Sequence, residues 1–209
     1  MGLLEIAVLA AALWAVGGLV FLHRKAKGYG QRQLHSKPAG TASQGIWYAF
    51  TKGMSPWAKE SVRENMASYG AGMAFHAGVF AALALLVASL LGVGLPYALL
   101  LVLRGVLIVG LLGALALLGK RLALPWMRGL SCPDDYVSNL LSGGFILLAL
   151  LSSFFPALRT AWLVETTVLL LYVPLGKIRH CFFFFTTRRH LGAFFGHRGV
   201  FPPTGGLHG

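Results

Sequence analysis

Acidic residues are scarce: six Asp or Glu in 209 positions, against 18 Lys or Arg, with only 11% of the chain charged. A soluble domain is about a quarter charged, so a water-solvated globule is excluded. The 56% hydrophobic content points to a membrane protein. Cysteine is almost missing as well. Cys132 and Cys181 have no CxxC partner, which excludes a disulfide framework or a cysteine-ligated cluster within this chain. No Walker loop, GxGxxG, HExxH or internal repeat is present, so nucleotide and zinc-protease chemistry have no carrier. The N-terminus lacks the basic n-region of a cleavable signal. Glu5 comes first, and the cluster from His23 to Lys27 follows the apolar run.

The net charge of +12 would suit nucleic acid, but the cations lie between apolar runs and not along one polar face. Nucleic acid is therefore not an expected partner. A helix needs about 20 apolar residues to cross hydrocarbon. Five stretches satisfy this: 2–22, 66–92, 96–118, 137–155 and 161–186. Together they predict an all-α, five-transmembrane-helix bundle, a single membrane domain over 1–209. Basic residues collect in the loop 23–65, in the loop after the third span and in the tail 187–209. The turns at Gly92-Val93-Gly94 and near Pro156 hold only Arg159. By the positive-inside bias the N-terminus is outside and the C-terminus cytoplasmic. Both cysteines then face the reducing cytoplasm.

The first inner loop splits in two. GYGQRQLHSKPAGTASQG reads as a flexible connector, and the segment from Gly45 to Met66 as interfacial, with Trp47, Tyr48 and Trp57 at headgroup depth. Pro56 is placed as a first helical residue.

Ionisable side chains within hydrocarbon are costly, and those that persist pair, bind or line a wet cavity. Two histidines fall in apolar runs: His76 in SYGAGMAFHAGVF and His180 in PLGKIRHCFFFF. His76 lies roughly 15 Å in from the start of its span, and His180 roughly 9 Å before the basic stop at Arg188. Matching depth on separate helices predicts two axial nitrogen ligands on one haem b. Bis-histidine ligation suits electron transfer. Gly70, Gly72, Ala74, Ala77 and Gly78 leave room for a flat porphyrin, or serve plain helix packing.

Phe75-His76-Ala77-Gly78 and Pro174-Leu175-Gly176-Lys177-Ile178-Arg179-His180 match F-H-x-G and P-[FL]-x-[KR]-x-x-H. These residues resemble the cytochrome b (gamma) subunit of respiratory nitrate reductase. They are still more similar to the short membrane cytochromes of heterodisulfide-reductase-like and sulfite-reductase-associated complexes. The resemblance implies a prokaryotic cytoplasmic (inner) membrane protein whose His76 and His180 ligate the haem nearer the cytoplasm, beside an iron–sulfur partner. It also implies that a second, outer haem is missing, because its ligand positions hold Leu86 and Trp162.

Lys177 and Arg179 are candidates for contacts to haem propionates or a quinone carbonyl, with Tyr69 two turns below His76. The alternative for the two cations is snorkelling to lipid phosphates. Arg104 and Glu165 are deep charges of opposite sign in the outer half, expected to pair. His190 and His197 share a helix face but follow Arg188-Arg189, so they read as solvated tail residues, with a second haem as the minor alternative. Met66 reads as packing, and His23, His35 and His208 as surface residues.

The expectation is therefore a haem-bearing electron-transfer subunit of a quinone-linked oxidoreductase complex, with no catalytic residues of its own. It would exchange electrons between menaquinone or ubiquinone and a cytoplasmic iron–sulfur or heterodisulfide-reductase-like subunit docked on Trp47–Glu64 and the tail from Phe182. The alternatives are a haem-free anchor for a soluble enzyme and a small transporter using Arg104 and Glu165.

Overall fold

Apolar runs of this length have no choice but to satisfy their backbone internally, and helix is what they form. The computed structural model describes residues 2–29, 36–58 and 60–203, without the side chains of Glu60 and Ser61. Arg32, His35, Lys59 and His208 lie outside the described residues. In chain order the helices are α1 (Leu3–Gly28), α2 (Ala42–Phe50), α3 (Glu60–Arg63), α4 (Met66–Leu90), α5 (Tyr97–Ala123), α6 (Pro125–Gly129), α7 (Pro133–Phe154), α8 (Arg159–Tyr172) and α9 (His180–His197). Short 3-10 turns occupy Lys52–Met54, Pro56–Ala58, Pro156–Leu158 and Lys177–Arg179. Among the described residues there is no strand.

Among the described residues four helices, α1, α4, α5 and α7, are long and apolar enough to cross a membrane. The fifth expected span, 161–186, is not one straight helix. Its residues are divided between α8 and α9 by a break, so they make one span only as a bent pair. Pro174 explains the break. It has no N–H for the carbonyl four residues back, and its ring clashes with that turn. Helical bonding ends with Val173 N–H to Leu169 O at 3.0 Å, and Leu175 N–H turns to Tyr172 O at 2.9 Å. Leu171 O loses its in-helix donor, and the Trp14 indole N–H takes it at 3.1 Å.

The chain divides into two compact units. The bundle unit comprises residues 1–18 and 67–178, and the loop–tail unit residues 19–66 and 179–209.

Small residues govern close approach in the bundle unit. A methyl at Gly78 of α4 would lie 2.8 Å from Gly110 Cα of α5, and one at Gly113 would lie 3.0 Å from Phe75 N. Backbones meet there because neither helix carries a side chain between them. Below this seam Leu86, Leu107, Phe145, Ile146, Trp162 and Leu163 form the buried core. α4 ends where Gly92 takes φ +66, with Val93 N–H closing on Ala88 O at 2.9 Å. Only glycine adopts that left-handed cap at little cost. α7 starts with Pro133 after Cys132, whose N–H is capped by Asp135 Oδ2 at 3.0 Å.

The loop–tail unit repeats the use of glycine. Gly45 of α2 sits against Gly192 and Gly196 of α9 so closely that a methyl at Gly196 would lie 2.8 Å from Gly45 Cα. Ala39 N–H and Gly40 N–H both donate to His197 O, at 2.9 and 3.2 Å. Phe50 stacks with Phe185 and meets Phe184 edge-on. The stretch from Ala39 to Gly45, read from sequence as part of a flexible connector, is therefore packed structure. Pro56 opens a 3-10 turn, as its position predicted.

Candidate functional site

His76 lies midway along α4 with an exposed ring. Its Nδ1 is 2.7 Å from Gly72 O. A carbonyl only accepts, so Nδ1 carries the proton and donates. In a neutral ring Nε2 then holds the lone pair. Histidines that ligate metals are typically oriented in this way, with the other ring nitrogen bonded to a backbone carbonyl. Tyr69, half-buried, is on the same face seven residues earlier.

The small residues around His76 divide between two tasks. Ala74 and Gly78 belong to the seam with α5: a methyl at Gly110 would meet Ala74 O at 3.1 Å. Gly70 and Gly72 face open space, and Ala77 is exposed. These last three are left uncovered by helix packing. Treating all five as lining for a porphyrin is corrected on this point, since helix packing consumes two of them.

His180 is the first residue of α9, immediately after the 3-10 turn that carries Lys177 and Arg179, and it is exposed, as is Arg179. It belongs to the loop–tail unit, whereas Lys177 belongs to the bundle unit. Lys177 Nζ is 2.7 Å from Asp135 Oδ2. The same carboxylate lies 3.6 Å from Arg121 Nη1, which also donates to Ser131 Oγ at 2.7 Å. Next to it, Asp134 accepts from Tyr172 O–H and from Ser138 O–H, the latter at 3.2 Å. The start of α7 thus gathers the cations and hydroxyls of this end of the bundle. The CPDD run that builds this cluster held the available signal, two acids in the first turn of a helix. They went unassigned in the sequence reading.

Leu86 and Trp162 are inside the core, at 5% and 4% exposure. Trp162 stacks on Phe145 with ring centroids 6.2 Å apart. Those two positions hold packed apolar side chains.

The expected pair of Arg104 and Glu165 does not form. Arg104 Nε donates to Ser153 Oγ at 3.0 Å, its Nη2 donates to Ser153 O, and its guanidinium lies 3.9 Å from the Phe154 ring centre. Glu165 instead packs towards Gly144, where a methyl would come within 3.0 Å of its Oε1. The end of α7 offers a hydroxyl, a free terminal carbonyl and a ring face, which together suit a guanidinium without any carboxylate. Another ion pair between distant segments was not foreseen: Arg159 Nη2 to Glu5 Oε1 at 2.6 Å.

The tail histidines also differ from expectation. α9 continues through Arg188-Arg189 to His197, so the charges end the apolar run without ending the helix. His190 is exposed, but His197 is half-buried with Nε2 2.8 Å from Ser36 O. The latter fastens the tail to the loop and is not a solvated residue. His23 is half-buried too, edge-on to Phe182 at 5.4 Å. Met66 is exposed at the first position of α4, and Cys132 and Cys181 are both free thiols. No family model, curated protein or solved structure matches this chain.

Proposed function

We propose that this protein is the haem b membrane subunit of a respiratory redox complex in a prokaryotic inner membrane, N-terminus outside and C-terminus cytoplasmic. It passes electrons between the quinone pool and a cytoplasmic iron–sulfur partner. The observation that carries the reading is the bond between His76 Nδ1 and Gly72 O, which sets the tautomer of an exposed imidazole midway along α4. His180, the other histidine of the apolar runs, supplies the second ligand. A bis-histidine haem b, when bound, takes up and releases single electrons with both axial positions filled. The chain's own part is to fix the tautomer at His76 and to leave Gly70, Gly72 and Ala77 small beside it. Lys177 is held by Asp135, so Arg179 and Tyr69 are the stronger candidates for donating to a quinone carbonyl. Quinone then reacts in the cytoplasmic half, since Leu86 and Trp162 place no ligand in the outer half.

A haem-free anchor is the second reading, favoured by the folded, strongly cationic loop–tail unit. The third reading, a small transporter, would use Arg104, here bonded to Ser153, and Glu165, here beside Gly144. A reduced-minus-oxidised optical spectrum of the purified chain decides between the first two. The expected result is a low-spin b-type signal that is lost in His76→Ala and in His180→Ala alike. A wild-type chain without any haem signal after expression under haem-replete conditions overturns the proposal in favour of the anchor.

A further inference from the structure

We propose that the loop–tail unit carries a binding site for the headgroup of an anionic phospholipid with a hydroxylated headgroup. The site is a cavity of ≈ 460 Å³ lined by Ser43, Gln44, Trp47, Tyr48, Thr51, Lys52 and Pro202. The spacing explains its construction. Gly45 and Ala49, four apart, form the buried face of α2. Positions 43, 44, 47, 48 and 51 then fall together on another side of the same helical path. The tail supplies the remaining wall: Phe201 lies 5.0 Å from both Tyr48 and Phe195, which sets Pro202 on the rim.

The lining dictates the ligand. Lys52 is exposed, and among the described residues it makes no ion pair and no carboxylate lines the cavity. Lys52 Nζ, the Ser43 hydroxyl and the Gln44 amide are donors for a phosphodiester. Thr51 O–H already donates to Trp47 O at 2.7 Å, so its oxygen presents lone pairs, which suit a headgroup hydroxyl. Trp47 is 73% exposed beside these polar groups. An indole there offers an apolar face to acyl chains at headgroup depth. A choline headgroup would bring a fixed positive charge to Lys52, and the unit as a whole holds twelve Lys or Arg against Glu60 and Glu64. The site is distinct from His76 and His180, and its test needs no haem.

The test uses the full chain in neutral detergent, titrated with short-chain phosphatidylglycerol, short-chain phosphatidylcholine and glycerol phosphate. Tryptophan fluorescence and native mass spectrometry report binding. Phosphatidylglycerol should bind at least about tenfold more tightly than either of the others. Lys52→Gln should lose about tenfold, and Lys27→Gln, which removes the same charge elsewhere in the unit, should change little. Retained tryptic protection of α9 verifies that each variant is folded, and Ser43→Ala gives a second, milder variant with a smaller loss. Equal losses for Lys52→Gln and Lys27→Gln overturn the site in favour of a diffuse cationic surface. Equal binding of phosphatidylcholine overturns the anionic preference, and equal binding of glycerol phosphate overturns a lipid ligand in favour of a free phosphate.

Discussion

Gly78 meets Gly110 in the bundle unit, and Gly45 meets Gly192 and Gly196 in the loop–tail unit, so both are closed by backbone contacts that no side chain interrupts. Their charges differ completely. The bundle unit holds six Lys or Arg and four Asp or Glu, and three of those cations reach a carboxylate: Arg121 and Lys177 at Asp135, and Arg159 at Glu5. The loop–tail unit holds twelve cations and two acids. Two of the described ones are engaged without a carboxylate, Arg188 donating to Gly53 O at 3.5 Å and Arg198 lying over the Phe194 ring at 3.8 Å. Ten of the twelve net positive charges therefore sit in one unit, and that unit cannot neutralise them itself. A unit built in this way is suited to a partner that brings negative charge, either lipid phosphate or an acidic protein surface. The bundle unit, nearly balanced, has no such need.

The sharpest way to break the comparison is to insert a side chain at each seam. Gly110→Leu should disrupt the bundle unit, because the new atoms would enter the backbone of α4 near Gly78 and Ala74. Overpacking usually costs about 1–3 kcal/mol, and more where backbone is the obstacle. Thermal unfolding of the purified chain should show a clear drop. Gly45→Leu should act on the other unit. α9 should become cleavable by trypsin at Arg188-Arg189, while the thermal transition of the bundle unit stays near that of the wild type. If both variants expose α9 and lower the main transition equally, the two seams are one cooperative structure and the comparison fails.

A smaller effect is expected at the ionic cluster. Lys177→Gln removes a contact to Asp135 whose lysine side chain is 50% exposed. Solvent screens such a pair, so its contribution to stability is small. The melting temperature should fall slightly, and a low-spin haem signal, where present, should keep its position. Lys177→Gln that instead shifts the optical spectrum strongly would return Lys177 to the haem propionates, and the cluster would then serve the cofactor.

How far the sequence could be read follows the same division. α1, α4, α5 and α7 were legible because length and apolarity are local properties, and their ends lie within a few residues of the expected spans in most cases. The bend between α8 and α9 was written in Pro174, but an apolar run has the same hydropathy whether straight or broken. In the loop–tail unit the turn at Pro56 was legible, but the packing of the loop on the tail was not. Gly45, Gly192 and Gly196 have meaning only as a set, and nothing local in GIWYAF or LGAFFGH announces a partner more than 140 residues away. The histidines were singled out by their cost in hydrocarbon. The tautomer at His76 required the position of Gly72 O.

The least effect should come from Arg104 and Glu165, and its smallness is the point. Opposite charges on separate apolar spans suggested that each neutralises the other, which would make the double variant more stable than the sum of its parts. The guanidinium is instead bound by Ser153 and the Phe154 ring, and the carboxyl lies by Gly144. Two groups with no shared partner should be additive within about 0.3–0.5 kcal/mol. Arg104→Leu and Glu165→Leu combined should therefore cost the sum of the single losses in thermal or chemical unfolding. Arg104→Leu with Ser153→Ala should not, because the hydroxyl loses a guanidinium that is already absent. Rescue in the first pair and additivity in the second would reverse the assignment. Charge balance in the bundle unit would then depend on an ion pair between Arg104 and Glu165, and not only on Glu5 and Asp135.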